Sequence, residues 1–449
     1  MKFIISTFLL TLGNFSSSHA DETRKPNVIL IMADDLGYRD LSCFGHPSIQ
    51  TPVLDQLAKD GLRLTNFHSG APVCTPSRMA LLTGAYPVRL GWTQGVGGYL
   101  MGGKDGMSSD ALTLAEIFKA EGYATGISGK WHIGRLPGSR PHEQGFDSTF
   151  YNPMSNNQLK EIWRKDEIAI KDVDNRNFTE LFTNEALRFI RENHEKPFFL
   201  YLPHTAPHFP VEAHPDWKGK SKFGKYGDVV EELDARIGEL IKLLEELKLR
   251  ERTMIVFLSD NGAQGDQAAS NLPLRGKKWS PLEGGTRVPG IVNWPRKIPA
   301  NQTSDSLIAA IDLLPTLCRA AGIDLQNHSK GQPIIDGLDI FETLTGKSEK
   351  HPRTELLHWH GKSAIPQALT QGDWKLFLDQ RDTIDGADPT KKADGHGSPA
   401  LYNLRDDIGE AKDLSQTHPE KVEALTQRAN ELIQELNTSA KLKIATPEN

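Results

Sequence analysis

Asn27-Val28-Ile29-Leu30-Ile31-Met32-Ala33 is a short apolar run, rich in aliphatic side chains, that ends abruptly on Asp34-Asp35. A run of this length fits a β-strand buried on both faces, as in a parallel sheet covered by helices. Runs of the same kind recur at Ala124–Ser128, at Phe198–Leu202 and at Met254–Leu258. Helical patterns separate them. Thr113–Glu121 and Asn184–Arg191 are two. The clearest spans Val229–Leu247, where Val230, Leu233, Ile237, Leu240, Ile241, Leu244 and Leu247 recur at three- and four-residue steps. Strands alternating with helices predict βαβ units, hence an α/β fold with a mainly parallel sheet sandwiched by helices.

Such a sheet binds ligands just beyond the carboxyl ends of its strands. The residues that follow the four runs are therefore the candidates for chemistry. They are Asp34-Asp35, then Gly129-Lys130-Trp131-His132, then Pro203-His204-Thr205-Ala206-Pro207-His208, and Ser259-Asp260-Asn261-Gly262. Asp34, Asp35, Asp260 and Asn261 offer oxygen donors only, and crowded carboxylates repel unless a cation sits among them. That donor set suits a hard divalent ion, calcium or magnesium, better than zinc. Asp34-Asp35 taken alone also fits a turn or helix cap. His204 and His208 are not a helical zinc pair, because Pro203, Pro207 and Pro210 exclude a helix there. Each is either an acid/base group or a packing residue.

Cys74-Thr75-Pro76-Ser77-Arg78 opens a further apolar stretch ending at Thr83-Gly84. Pro76 suits the first turn of a helix. Cys74 is then expected at the positive end of that helix beside Arg78, a setting that attracts anions and lowers a thiol pKa. An inert buried thiol is the competing reading.

The 449 residues suffice for more than one domain, and the net charge of −6 is spread without long basic runs, which argues against a nucleic-acid partner. Lys2, the apolar stretch Phe3–Leu12 and Ser18-His19-Ala20 read as a secretory signal peptide cleaved near Ala20. No later stretch is apolar enough to span a membrane, so a secreted or periplasmic protein is expected. Cys43, Cys74 and Cys318 are too few for a disulfide framework. After about residue 345 the pattern changes. Leu356–Asp379 reads as short strands and turns, and Lys421–Leu436 as one amphipathic helix, so a smaller α+β domain with an antiparallel sheet is predicted. The expected division is 1–20 signal peptide, 21–345 catalytic domain and 346–449 C-terminal unit. Gln94–Gly106 and Ser155–Asp174 are expected to rim the site, and Asp382–Ser398 to form a loop. Asn177, Asn301, Asn327 and Asn437 lie in glycosylation sequons.

Cys74-x-Pro76-Ser77-Arg78 with its following leucines and Thr83-Gly84 resembles the first signature of the type I sulfatases, most nearly the arylsulfatase A group and its bacterial relatives. Gly122-Tyr123-Ala124-Thr125 leading to Gly129-Lys130-Trp131-His132 resembles the second. Leu274-Arg275-Gly276 with Glu283-Gly284-Gly285-Thr286-Arg287-Val288-Pro289, Gly372-Asp373-Trp374-Lys375 and Leu401-Tyr402-Asn403-Leu404 resemble further landmarks. The resemblance implies an alkaline-phosphatase-like core and hydrolysis of an aryl or carbohydrate sulfate ester. It also implies that a maturation enzyme converts Cys74 to Cα-formylglycine, whose hydrated aldehyde is the nucleophile. Calcium would be held by Asp34, Asp35, Asp260, Asn261 and the residue 74 oxygen. Arg78 and Lys130 would fix the diol, and His132 would take the proton of its second hydroxyl. Lys278 and His208 would bind sulfate and assist the leaving alcohol, with Lys130 and Ser155 alongside. Lys278 is preferred to Lys277 for its five-residue distance to Glu283. The alternatives are a phosphomonoesterase or phosphonate hydrolase of the same superfamily, and a non-catalytic binder of sulfated glycans. The substrate classes compatible with the sequence are polysaccharide sulfates, small aryl sulfates and sulfolipids.

Overall fold

The computed structural model describes residues 24–92, 106–265, 268–328, 334–348, 351–379, 398–439 and 441–443. The expected signal peptide, most of 94–106 and most of 382–398 lie outside the described residues. Along the chain run β1 Asn27–Ala33, α1 Pro52–Lys59, β2 Leu62–His68, α2 Cys74–Thr83, α3 Leu114–Ala120, β3 Ala124–Lys130, β4 Ser148–Asn152, β5 Ile162–Arg164 and β6 Glu167–Ile170. They are followed by α4 Phe178–Asn193, β7 Phe198–Pro203, α5 Lys225–Glu246, β8 Thr253–Ser259, β9 Arg287–Asn293, β10 Gln302–Ser304, β11 Ile308–Ala309 and α6 Leu313–Ala320. The last elements are β12 Glu355–His358, β13 Ala368–Gln371, β14 Trp374–Phe377, β15 Ala400–Asn403 and α7 Pro419–Thr438.

The first eleven strands form one sheet, ordered β10-β2-β9-β8-β1-β7-β3-β4-β5-β6, with β11 beside β2. Its centre is β8-β1-β7-β3, all mutually parallel, and these are the four runs read from the sequence. Side chains alternate across β1. Val28, Leu30 and Met32 pack with α2, α3 and α6 on one face. Ile29, Ile31 and Ala33 pack with α1, α4 and α5 on the other. That is why β1 is apolar throughout instead of alternating. On α5, Val230, Leu233, Ile237, Leu240 and Leu244 are buried as the periodicity requires. Thr113 caps α3 in a reciprocal pair with Glu116, each side chain bonding the other's backbone N–H.

The sheet is mixed, not simply parallel. β9 runs antiparallel to both β8 and β2. Its sequence, with Pro289 and Gly290, does not read as a strand, but the β2–β9 register shifts between Leu64 and Phe67, opposite Pro289, where a missing N–H costs no ladder bond. β12–β15 form a separate antiparallel sheet covered by α7, which buries Leu425, Ala429 and Leu436 on Leu357, Leu369, Leu376 and Leu401. Among the described residues no helix is long and apolar enough to cross a membrane.

Leu200, fully buried on β7, pairs with Ile29 and Gly126 on the strands that carry the candidate site. Leu200→Ala is expected to lower unfolding free energy by about 2–5 kcal/mol, the usual range for a buried truncation. Chemical denaturation checks this.

Candidate active site

Register places the strand ends together. Ala33 pairs with Ser259 and Met32 with Pro203, so Asp34, Asp260 and His204 leave the sheet side by side. The Asp35 N–H donates to Asp260 Oδ1 at 3.1 Å and the Asp34 N–H to the Ala206 carbonyl at 2.9 Å. Gly129, with φ of +146°, lies so close to β7 that an added Cβ would stand 2.0 Å from the Pro203 carbonyl oxygen. Only glycine lets β3 deliver Lys130 at this depth. Asp35 and His132 both adopt left-handed backbone, at φ of 63° and 59°. Non-glycine residues in that region carry strain of about 1–3 kcal/mol each and cluster at functional sites.

α2 begins at Cys74, its first turn directed at the strand ends. Cys74 Sγ lies 3.5 Å from Asp34 Oδ1 and 4.0 Å from Asp35 Oδ1. Three buried cations balance the three carboxylates. Lys130 Nζ donates to Asp34 Oδ2 at 2.6 Å. Lys278 Nζ reaches both Asp35 oxygens, at 2.7 and 2.8 Å. Arg78 donates twice to Asp260 Oδ2, from Nη2 at 2.7 Å and Nε at 3.1 Å, and its Nη1 donates to the Lys130 carbonyl. The crowding of acids is thus met by protein cations, which the sequence reading had not paired. Asn261 Nδ2 donates to Asp35 Oδ1 at 2.7 Å, while its buried Oδ1 has no hydrogen-bond partner.

His208 Nε2 lies 3.7 Å from Asp35 Oδ2, and its Nδ1 is 3.4 Å from Ser155 Oγ. His132 is buried with neither ring nitrogen hydrogen-bonded, and its carbonyl accepts from Thr75 Oγ1 at 2.8 Å. Lys277 is exposed whereas Lys278 is buried. All eleven predicted site residues therefore lie on the elements and loops that meet at this edge. His204 does not join them; it is buried with both ring nitrogens unpaired, and Arg236 is the charge that bears on it. Thr75 and Tyr201 escaped the sequence reading. Tyr201, the one hydroxyl in an otherwise apolar run, bears on the charge of Arg78.

Burial raises the Asp34 carboxyl, yet Lys130, His208 and Arg78 outweigh it and hold it at about 2. Burial likewise opposes the lowering of Asp35, which Lys278 and His208 drive. His132 is held well below the usual imidazole range by burial and then by Lys130 and Arg78. The expectation of an acidic thiol is overturned. Burial, with Asp260 and Asp34 adding to it, pushes Cys74 up to about 12 against Lys130 and Lys278. The unmodified thiol is a poor nucleophile here.

Asp34, Asp35, Cys74 and His208 each place a ligand atom within 4.8 Å of the others. Of the donors here, the Asp34 and Asp35 carboxylates and the orphaned Asn261 oxygen fit a hard cation, whereas the Cys74 sulfur and the His208 ring nitrogen do not. A buried edge that pairs anchored cations with oxygen ligands is suited to gripping a tetrahedral anionic group.

A family model described as Sulfatase matches residues 26–323. The chain is 33% identical to mouse N-acetylgalactosamine-6-sulfatase over 95% of its own length and 89% of the relative's. It is 34% identical to human arylsulfatase A, over 90% and 87% respectively. The crystal structure of the PsFucS1 sulfatase from Pseudoalteromonas sp. superposes with a TM-score of 0.83 at 27% identity, over 95% of this chain and 94% of that one.

Burial holds His204 at about 3, below its ordinary 6.5. Between those values the folded ring is neutral and the unfolded ring protonated, so its contribution to stability is complete above 6.5 and lost as pH falls toward 3. Asp40, raised to about 6 by burial, acts in the opposite sense, so only a difference isolates the histidine. His204→Leu is expected to flatten the pH dependence of unfolding free energy between about pH 4 and 6 by up to about 1.4 kcal/mol per pH unit. An unchanged slope in denaturant titrations contradicts the assignment.

Proposed function

We propose, from the premise that this chain belongs to the sulfatase family, how its own residues carry out sulfate-ester hydrolysis and on what. The enzyme is a sulfatase; the finer reading concerns nucleophile, ion and substrate. The observation that carries it is the side chain of residue 74, 3.5 Å from Asp34 Oδ1, at the start of α2 and among three anchored cations. A thiol pushed up to about 12 has little use as a nucleophile, whereas a hydrated Cα-formylglycine at this position has two hydroxyls. One would attack sulfur as the S–O bond to the alcohol breaks, and loss of the other's proton would then expel sulfate and restore the aldehyde. A maturation enzyme of the formylglycine-generating kind is the implied partner.

Lys130 and Arg78 hold the reacting hydroxyls and their counter-charges in place. His132, kept neutral by burial, is free to accept the proton of the second hydroxyl through an unpaired ring nitrogen. Lys278 binds the sulfuryl oxygens, with Ser155 alongside, and His208, held by its Nδ1 at 2.7 Å from the Phe209 carbonyl oxygen, protonates the leaving alcohol. Asp34, Asp35, Asp260, Asn261 and residue 74 are the residues that would hold calcium, in preference to magnesium; Asn261 Oδ1, otherwise unpartnered, supports this. The ion would spread the charge that builds on sulfuryl oxygens during transfer.

The substrate class we favour is a sulfated saccharide, since the mouse relative is named for a sulfated amino sugar and aligns over nearly the whole chain. The reading places the enzyme outside the cytoplasm after cleavage near Ala20. It divides the chain into a catalytic unit, 21–345, and a smaller one, 346–449, supported by the cluster that Leu369, Leu376 and Leu401 of the second sheet form with Leu425 and Ala429, which also takes in Val88.

Turnover of matched aryl sulfate and aryl phosphate esters is the test. The sulfate is expected to be strongly preferred, and Cys74→Ala to lower kcat by at least about a thousandfold, as for other covalent nucleophiles. Equal turnover by the variant, or a preference for phosphate, contradicts the proposal. Chelation of calcium is expected to abolish activity and lower the melting temperature, and re-addition of calcium to restore both more fully than magnesium. Activity and melting temperature unchanged by chelation contradict the metal assignment.

A further inference from the structure

A second group of buried charges lies where the two sheets meet, and the proposed chemistry does not use it. Lys375, on β14, donates to Glu283 Oε1 at 2.8 Å and pairs with Glu410 Oε1 at 3.0 Å, all three fully buried. Glu283 also pairs with Arg287 at 3.2 Å and lies 3.8 Å from His68. His68, Glu283 and His358 are close enough to one another to hold an ion, but the Lys375 ammonium already supplies the positive charge there.

Buried ion networks are weak contributors to stability compared with apolar packing of the same volume; what they deliver is a fixed arrangement. The arrangement fixed here is the segment 275–285. Its Glu283 N–H donates to Glu410 Oε2 at 2.8 Å, and Arg275 Nη1 donates to the Glu410 carbonyl at 2.9 Å. Gly284 N–H closes the segment on the Arg275 carbonyl at 2.7 Å. The same segment carries Lys278, whose Nζ bridges the Asp35 oxygens, and backs onto Gly262 through the Gly262 N–H to Gly285 carbonyl bond. Glu410 adopts left-handed backbone, at φ of 51°, a conformation kept only where surroundings impose it.

We infer that Lys375 and Glu410, from the smaller unit, are positioning residues that set Lys278 for sulfate binding through Glu283. Neither touches the reacting atoms. The inference rests on the reading of Lys278 as a sulfate-binding group.

A double-mutant cycle in the full-length, matured enzyme tests it. Lys375→Met is expected to lower kcat/KM on an aryl sulfate by about 10- to 100-fold per folded molecule and to weaken inhibition by inorganic sulfate similarly, as loss of a group supporting a binding side chain does. In a Lys278→Ala background the same substitution is expected to cost at most about twofold, because its effect is already spent. Losses that multiply, or unchanged kinetics of the folded fraction, overturn the inference. If Lys375→Met does not fold, Glu410→Gln carries the same cycle with the same expected and contrary results. Wild-type enzyme that turns over no sulfate ester would instead overturn the reading of the site itself.

Discussion

Three carboxylates and three basic side chains, all withdrawn from water, meet at the ends of four parallel strands, and the rest of the molecule is arranged around that concentration of charge. Each carboxylate has its own cation: Asp34 has Lys130, Asp35 has Lys278 and Asp260 has Arg78. Burying such groups unpaired costs many kcal/mol, and pairing offsets this only when geometry is close to ideal. The requirement explains several local features. Gly129 is needed so that β3 can approach β7, Asp35 and His132 accept left-handed backbone, and α2 points its first turn at the sheet edge. The apolar clusters on the two faces of β1 make the platform rigid enough to hold these positions.

The fold was legible where burial is symmetrical. β1, β3, β7 and β8 sit in the middle of the sheet with helices on both sides, so their sequences are nearly continuous apolar runs. β2 and β9 lie toward one edge, and β9 contains a proline opposite a register shift, so neither shows the pattern that marks the central four. The site was legible for a related reason. Central strands end at one edge, so the polar residues that follow them abruptly are brought together there, with His204 the exception. The charge pairing was not legible, because Lys130, Lys278 and Arg78 come from segments far apart in sequence. Nor was the raised thiol pKa: a helix start and a nearby arginine argue for acidity, but Arg78 is spent on Asp260, and burial dominates.

The smaller sheet is more than a lid on the core. β14 sends Lys375 into the catalytic part, and the chain after β15 sends Glu410, to the segment that also bears Lys278. Lys375 and Glu410 thereby contact the segment whose Lys278 pairs with Asp35. This charge network adds to the apolar contacts between the two sheets, in which Leu282 packs with Ala368, Phe377 and Ala400, and Leu356 with Ala309 and Ile311.

The central claim is that the side chain at position 74 acts as an oxidised nucleophile within this charge cage. Preparations matured to different extents, with the converted fraction of residue 74 measured by mass spectrometry of its peptide, test it most directly. The account predicts that kcat on an aryl sulfate rises in proportion to the converted fraction and falls to zero with it. Full turnover from protein in which Cys74 remains a thiol would contradict it.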